Sequence, residues 1–273
     1  MPLDLNAALA IADDLAHRAG VLLRDAVLRP RQIDYKGVIN LVTESDRASE
    51  ALIVGGLRDA YPDHGIVGEE GSSFSPSGEG PIYRWHVDPL DGTTNFAHGI
   101  PHFSVSIGLS GSDGSPLVGL VYDPIRDECF SAIKGQGATL NGKPLHVSVE
   151  TELARSVIST GFPYDRWINP NNNTTQFHNF ILRAQAVSRM GSAALDLSYV
   201  AAGRMEGFWE PRINSWDVMA GLAIVTEAGG RISNYHGGID GLYEGREVVA
   251  SNGMIHEQML AIIALDEVAP RNS

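Results

Sequence analysis

Acidic and hydroxyl side chains are concentrated in one segment, Trp85-His86-Val87-Asp88-Pro89-Leu90-Asp91-Gly92-Thr93-Thr94-Asn95-Phe96. Asp88 and Asp91 lie three residues apart around a proline, so both can point at a common volume. Two unpaired carboxylates that close repel each other, and a hard divalent cation relieves the repulsion. Gly92 lets the main chain approach a ligand closely. Thr93 and Thr94 offer hydroxyls and amides at a helix start, where the dipole favours phosphate. One short segment thus supplies metal ligands and an anion cradle. A capped turn, with aspartates satisfying orphan amides, is the structural alternative for an isolated Asp-Pro-X-Asp-Gly. The two threonines and the asparagine that follow make the full run more specific than that.

Three other places carry acids. Gly68-Glu69-Glu70 ends the apolar run Ile66-Val67, where strand alternation sends one glutamate inward and one outward; a solvated turn is the alternative. In Ser215-Trp216-Asp217-Val218-Met219-Ala220-Gly221, Ser215 is expected to cap a helix with Asp217 in its first turn. The dipole alone also accounts for an acid there. Thr43-Glu44-Ser45-Asp46 reads as a helix start, with Asp46 able to accept a proton or hydrogen bond. Lys36 upstream can meet a phosphate or an acid, or be a plain surface charge.

No cysteine or histidine nucleophile with a recognisable base is visible. The nine histidines are scattered, and Gly and Pro between His98 and His102 rule out a helical metal motif. Phosphate monoesters are among the slowest hydrolysed biological bonds, with enzymatic accelerations of up to ~10²¹. Metal-activated water is the economical mechanism, two ions about 3.5–4 Å apart stabilising the attacking and leaving oxygens.

The elements that must position these residues follow from periodicity. Leu5, Leu9, Ala12, Leu15, Ala16, Ala19, Leu22 and Leu23 recur at helical spacing until Pro30, and a second helix is predicted from Asp46 to Ala60. Strands are predicted at residues 65–67, 83–87, 103–109, 117–122 and 129–133, with Pro89 ending the second of these at Asp88. Residues 72–80, rich in Ser, Gly and Pro, read as a mobile surface loop. Beyond Glu150 strands are predicted at 156–160, 186–190, 207–210, 231–233 and 248–250. Helices are predicted at 174–184, 193–202, 217–228 and 256–264. The pattern is layered α/β. Residues 1–150 are expected to form an N-terminal α+β half bearing the metal and phosphate loops. Residues 151–273 form an α/β half completing the site, the two making one integrated catalytic unit.

Composition narrows the partners. The 273 residues carry 20 basic and 33 acidic side chains, a net charge of −13. That balance repels nucleic acid and anionic membranes, and divalent cations are the natural answer to an anionic substrate. Surplus acids also serve solubility. Cys129 is the single cysteine, which excludes an intrachain disulfide and a cysteine-based zinc site, and it reads as a core filler in a strand. Neither a signal-peptide layout nor a bilayer-length apolar run is present, so a cytoplasmic protein is expected.

Together these residues resemble the inositol monophosphatase family. The match runs from Lys36 and the Thr43–Asp46 region to Gly230, through Asp88-Pro89-Leu90-Asp91-Gly92-Thr93-Thr94-Asn95-Phe96, Trp216-Asp217-Val218-Met219-Ala220-Gly221 and Glu227-Ala228-Gly229-Gly230. The resemblance implies a layered αβαβα sandwich, a homodimer and Mg²⁺-dependent, lithium-inhibited hydrolysis of a small phosphorylated polyol or sugar, foremost myo-inositol 1-phosphate. Histidinol phosphate and fructose 1,6-bisphosphate are the alternatives, and a regulatory protein-binding role is the alternative of another class. It further implies that Glu69, Asp88 and the Leu90 carbonyl hold one ion and that Asp88, Asp91 and Asp217 hold a second, with a third, weaker ion near Glu69. Thr93 and Asp46 orient the water for in-line attack. Gly92, Thr93 and Thr94 hold the phosphate, Glu210 and Ala193 touch the alcohol, and Glu70 and Lys36 support the acids from behind. Ser188 departs from a basic residue frequent in bacterial members, Arg189 keeping one basic group there, and Met219 stands where many relatives have a smaller residue.

Overall fold

Helical spacing of small and aliphatic residues builds α1 (Leu5–Val27), whose buried face is Ala8, Ala12, Leu15, Ala16, Ala19 and Leu23. In the computed structural model, residues 3–27, 33–35, 41–77 and 81–268 are described. A short antiparallel pair, β1 (Ile33–Tyr35) and β2 (Leu41–Thr43), leads into α2 (Glu44–Ala60). Lys36 lies outside the described residues.

Eight strands then form one sheet: β3 (Gly65–Gly68), β4 (Ser73–Phe74), β5 (Arg84–Asp91), β6 (Ser104–Ser110), β7 (Pro116–Asp123), β8 (Glu128–Ile133), β9 (Gly137–Leu140) and β10 (Lys143–Pro144). Their order is β10-β9-β8-β7-β6-β5-β3-β4. A short helix, α3 (Thr93–Ala97), lies between β5 and β6. In the second half, β11 (Val157–Thr160), α4 (Thr174–Ile181), β12 (Ala186–Ser188), α5 (Ala193–Ala201), β13 (Gly207–Pro211), α6 (Ser215–Glu227), β14 (Arg231–Ser233), β15 (Glu247–Ser251) and α7 (His256–Ile263) follow. Their strands form a sheet ordered β12-β11-β13-β15-β14.

The layers are αβαβα, as expected. α1 and α2 cover one face of the large sheet, α5 and α6 fill the space between the sheets, and α4 and α7 cover the far face of the small sheet. Two glycines in the large sheet set how closely α6 approaches. A Cβ at Gly119 would lie 2.3 Å from the Ala220 carbonyl oxygen, and one at Gly108 would lie 2.7 Å from Met219 Cγ. The helix therefore packs almost backbone to backbone on β6 and β7, which brings its first turn down to the end of β5.

Four local expectations need correction. Pro89 does not end the strand at Asp88: β5 continues to Asp91, with Asp88 opposite Ser106 and Asp91 opposite Ser104. Three steps on one strand against two on the other make a bulge, and there a proline without an N–H does no harm to the ladder. Ser215 does not cap α6. Asn214 is the N-cap, and Asp217 is the third helical residue of a reciprocal capping box. Within the stretch read as a surface loop, Ser73 and Phe74 pair with Val67 and Ile66. Finally, α4 stops at Ile181 and β12 at Ser188, both short of the predicted ends.

Candidate active site

The β5 bulge and the start of α6 bring together acids far apart in sequence. Asp88, Asp91 and Asp217 each offer an oxygen within 4.8 Å of the others', the only such group of His, Cys, Asp and Glu among the described residues. Each carboxylate is aimed by main-chain amides. Asp217 Oδ2 accepts the Asn214 N–H at 2.8 Å, and Asp88 Oδ1 accepts the Leu90 N–H at 2.9 Å. Asp91 is the most heavily held. It accepts the Ala194 N–H at 2.8 Å and the Ala193 N–H at 3.2 Å, together with the Ser192 and Ser104 hydroxyls. It therefore sits on the N-terminus of α5, where amides and dipole favour an anion.

Among the described residues, the charges that act on Asp88 and Asp217 are those of other acids. Burial, then Glu69, Asp91 and Asp217, pushes Asp88 well above the usual carboxylate range. Burial, then Glu69 and Asp91, does the same to Asp217. Asp91 is raised by burial too, against the pull of its hydroxyl and amide donors. At the observed spacing each ionised pair costs about 3.5 kcal/mol for an effective dielectric near 20. Three such pairs approach the whole folding stability of a typical domain, about 5–15 kcal/mol. The donor set is carboxylate oxygens with no cysteine or histidine, which suits a hard ion such as Mg²⁺ rather than zinc or copper.

The other expected residues among those described sit at the end of β3, in the first turn of α2 and between β5 and α3. Glu69 follows β3, and its charge acts on Asp88, Asp217 and Tyr164. Glu70 is next in the same turn, its N–H donating to Glu50 Oε2 at 2.7 Å. Glu50 also accepts the Ser72 N–H at 3.0 Å, so this buried acid of α2 holds the turn that carries Glu69. Asp46 is buried in the first turn of α2. The Thr93 hydroxyl donates to the Leu90 carbonyl at 3.1 Å. Gly92, at φ 99°, is the left-handed residue that starts α3, a conformation most side chains avoid.

Asp91, Gly92, Thr93, Thr94, Arg189, Ala193, Glu210 and Asp217 all line one cleft. Within it, burial pushes the Glu210 carboxyl up to about 8, with Arg189 pulling the other way. Asp196 and Tyr164 also line the cleft and were not singled out from the sequence. Asp196 is a buried acid raised well above its usual range by burial and then by Asp91 and Glu210. Its sequence signal was present, a lone acid inside the apolar run Ala193-Ala194-Leu195-Asp196-Leu197. Tyr164 left no such signal, since it comes from an irregular loop.

The inositol monophosphatase family model matches residues 4–266, so the chain belongs to the inositol monophosphatase family and is a phosphoric monoester hydrolase. An inositol-1-monophosphatase of Synechocystis is 44% identical, with 96% of this chain and 91% of the relative covered. The Nus factor SuhB of Pseudomonas aeruginosa is 43% identical, with 93% and 95% covered. The solved inositol monophosphatase of Anabaena superposes with a TM-score of 0.85 at 40% identity, over 96% of each chain. Among the described residues no helix is long and apolar enough to cross a membrane.

Proposed function

We propose that the enzyme hydrolyses myo-inositol 1-phosphate, or a closely similar polyol phosphate, with Mg²⁺. The observation that carries this is the three-carboxylate cluster, two of whose acids, Asp91 and Asp217, line one cleft together with Arg189 and Glu210. Bound ions supply water activation and neutralise charge on the phosphoryl group and leaving oxygen. Asp88, Asp91, Asp217, Glu69 and the Leu90 carbonyl hold them. Asp46 and Thr93 orient the attacking water, and Gly92, Thr93 and Thr94 receive the phosphate. Arg189, Ala193, Glu210 and Asp217 face the alcohol, with Lys36 and Glu70 supporting the acids. The two halves, 1–150 and 151–273, act as one catalytic unit, active as a lithium-sensitive cytoplasmic homodimer.

The test is phosphate release from inositol 1-phosphate, histidinol phosphate, fructose 1,6-bisphosphate and adenosine 3′,5′-bisphosphate, with Mg²⁺ and after chelation. Inositol 1-phosphate is expected to be preferred and to need the ion; preference for any other ester would displace this assignment. The similarity to a Nus factor favours a second role in capturing a protein partner. Capture without turnover of any ester would make that the main role, whereas the acid cluster has no use in pure binding.

A further inference from the structure

Gly161 stands where β11 enters the cleft, beside Glu210 on the neighbouring parallel strand β13. A Cβ built at Gly161 would lie 2.1 Å from Glu210 Oε2, 2.2 Å from Oε1 and 2.3 Å from Cδ, so the whole carboxylate rests on the bare Cα. The backbone does not demand glycine here, because Gly161 is not among the positive-φ residues.

The main chain at this point is pinned. Asn173 is buried, in the left-handed region at φ 70°, and closes the loop that leaves β11. Its Nδ2 donates to the Gly161 carbonyl at 2.7 Å and to the Thr160 hydroxyl at 2.8 Å. Its Oδ1 accepts the Trp209 indole N–H at 2.7 Å, and the Thr160 hydroxyl donates in turn to the Trp209 carbonyl. These bonds tie β11, the loop and β13 together immediately next to the Gly161–Glu210 contact. An added methyl therefore cannot be absorbed by the main chain. The carboxylate, at the far end of a flexible side chain, has to retreat by more than an ångström.

We propose that Gly161 is a specificity-determining position, its missing side chain forming the seat of the Glu210 carboxylate and Asn173 keeping that seat from giving way. This rests on the assignment of Glu210 to the alcohol part of the substrate. Gly161 is a positioning residue: it acts through Glu210, whose carboxylate is what a side chain there would meet first.

The experiment compares kcat/KM for inositol 1-phosphate with that for 4-nitrophenyl phosphate, an ester without ring hydroxyls, in Gly161→Ala, Glu210→Ala and the double variant. Gly161→Ala is expected to lower the ratio about fivefold or more, the order of one hydrogen bond, mainly through KM for the inositol ester. The Mg²⁺ concentration for half-maximal turnover stays as in wild type. In the Glu210→Ala background Gly161→Ala is expected to add nothing, since the groups it collides with are gone. Independent, multiplying effects in the double variant would overturn the inference. So would a wild-type ratio in Gly161→Ala alongside an altered one in Glu210→Ala, which leaves the role of Glu210 standing. An unaltered ratio in Glu210→Ala would overturn that role and the inference together. Should Gly161→Ala fail to fold, recovery of the fold in the double variant supports the collision, and failure of both overturns it.

Discussion

Asp217→Asn is expected to abolish catalysis while making the metal-free protein more stable. Asparagine keeps the volume and an oxygen for the Asn214 N–H, which Asp217 accepts at 2.8 Å. It removes the charge that, with Asp88 and Asp91, crowds oxygens to within 4.8 Å. Two of three repulsive pairs disappear, about 3.5 kcal/mol each if every acid were ionised. Protonation already relieves part of this, because burial and neighbouring acids raise Asp88 and Asp217. Loss of an acid from a helix start subtracts about 0.3–1 kcal/mol more. A net gain of about 1–3 kcal/mol remains, or roughly 3–10 °C in Tm for a chain of this size. The pH dependence has a definite sign. Acids whose folded pKa is raised destabilise the fold as pH climbs from the unfolded value through the folded one, so the gain should grow as pH rises above the unfolded carboxylate value of about 4. Mg²⁺ at a hundred times its dissociation constant stabilises wild type by about 2.7 kcal/mol, and the variant much less. Turnover should fall at least ~10²-fold through lost electrostatic stabilisation. Thermal melts of chelated and Mg²⁺-loaded protein across this pH range, with phosphate release alongside, read all of it. A chelated variant that melts below wild type at about pH 8, or that keeps the full Mg²⁺ shift, would refute the charge-crowding account.

Other perturbations separate the parts of the site. Glu210→Gln is expected to change the ratio of kcat/KM between inositol and sugar phosphates while leaving the Mg²⁺ titration alone, and an unchanged ratio would remove it from the alcohol end. Gly119→Ala sets a methyl against the Ala220 carbonyl and should cost about 1–3 kcal/mol in chemical denaturation. It should also raise the Mg²⁺ needed for half-maximal rate, since α6 carries Asp217; an unaltered Mg²⁺ requirement would uncouple helix packing from the ligand set. His256, buried between the Ser233 and Ser251 hydroxyls, is pushed down to about 4 by burial. Its neutral ring stabilises the fold above the unfolded value of about 6.5, and that contribution, at most roughly 3 kcal/mol, is lost as pH falls through about 4. His256→Gln should flatten this acid limb in urea titrations, and an identical limb would assign it to other groups.

The layering was legible because its signals are local: α1 shows its buried stripe, and the apolar runs predicted as strands at 103–109 and 117–122 pair as β6 and β7. Corrections fell where tertiary structure overrides a local rule. Pro89 breaks a central strand in isolation, but a bulge removes the need for its N–H. Ser215 is a good cap by type, yet Asn214 has the extended backbone that a cap requires. The acidic cluster was visible from residue types, whereas Glu50 and Gly161 were not, because their importance lies in what they touch across the fold. A glycine in a strand gives no hint of which carboxylate needs its empty space.

The same geometry also removes a conflict that residue types leave open. An aspartate in a first helical turn, or beside a proline turn, is explained equally well as a cap and as a ligand. Here capping is how the three acids are aimed. An ionised carboxylate has two oxygens and about four lone-pair sites. Asp88 and Asp217, each accepting one amide, therefore keep capacity for a cation, and Asp91 keeps it at Oδ1, which takes only the Ala193 N–H. Asp217 caps α6 from within, Asp88 closes its own turn onto Leu90, and Asp91 receives the start of α5. A flexible acid would swing away from its repelling neighbours; one held by amides cannot. The amides thus hold the three charges together at a spacing they would otherwise escape, and a bound cation then meets a site that needs little rearrangement. Ser192→Ala, which removes one of the donors to Asp91, should accordingly weaken Mg²⁺ binding in calorimetry even though Ser192 is no ligand, and unchanged affinity would mean that the α5 amides alone suffice.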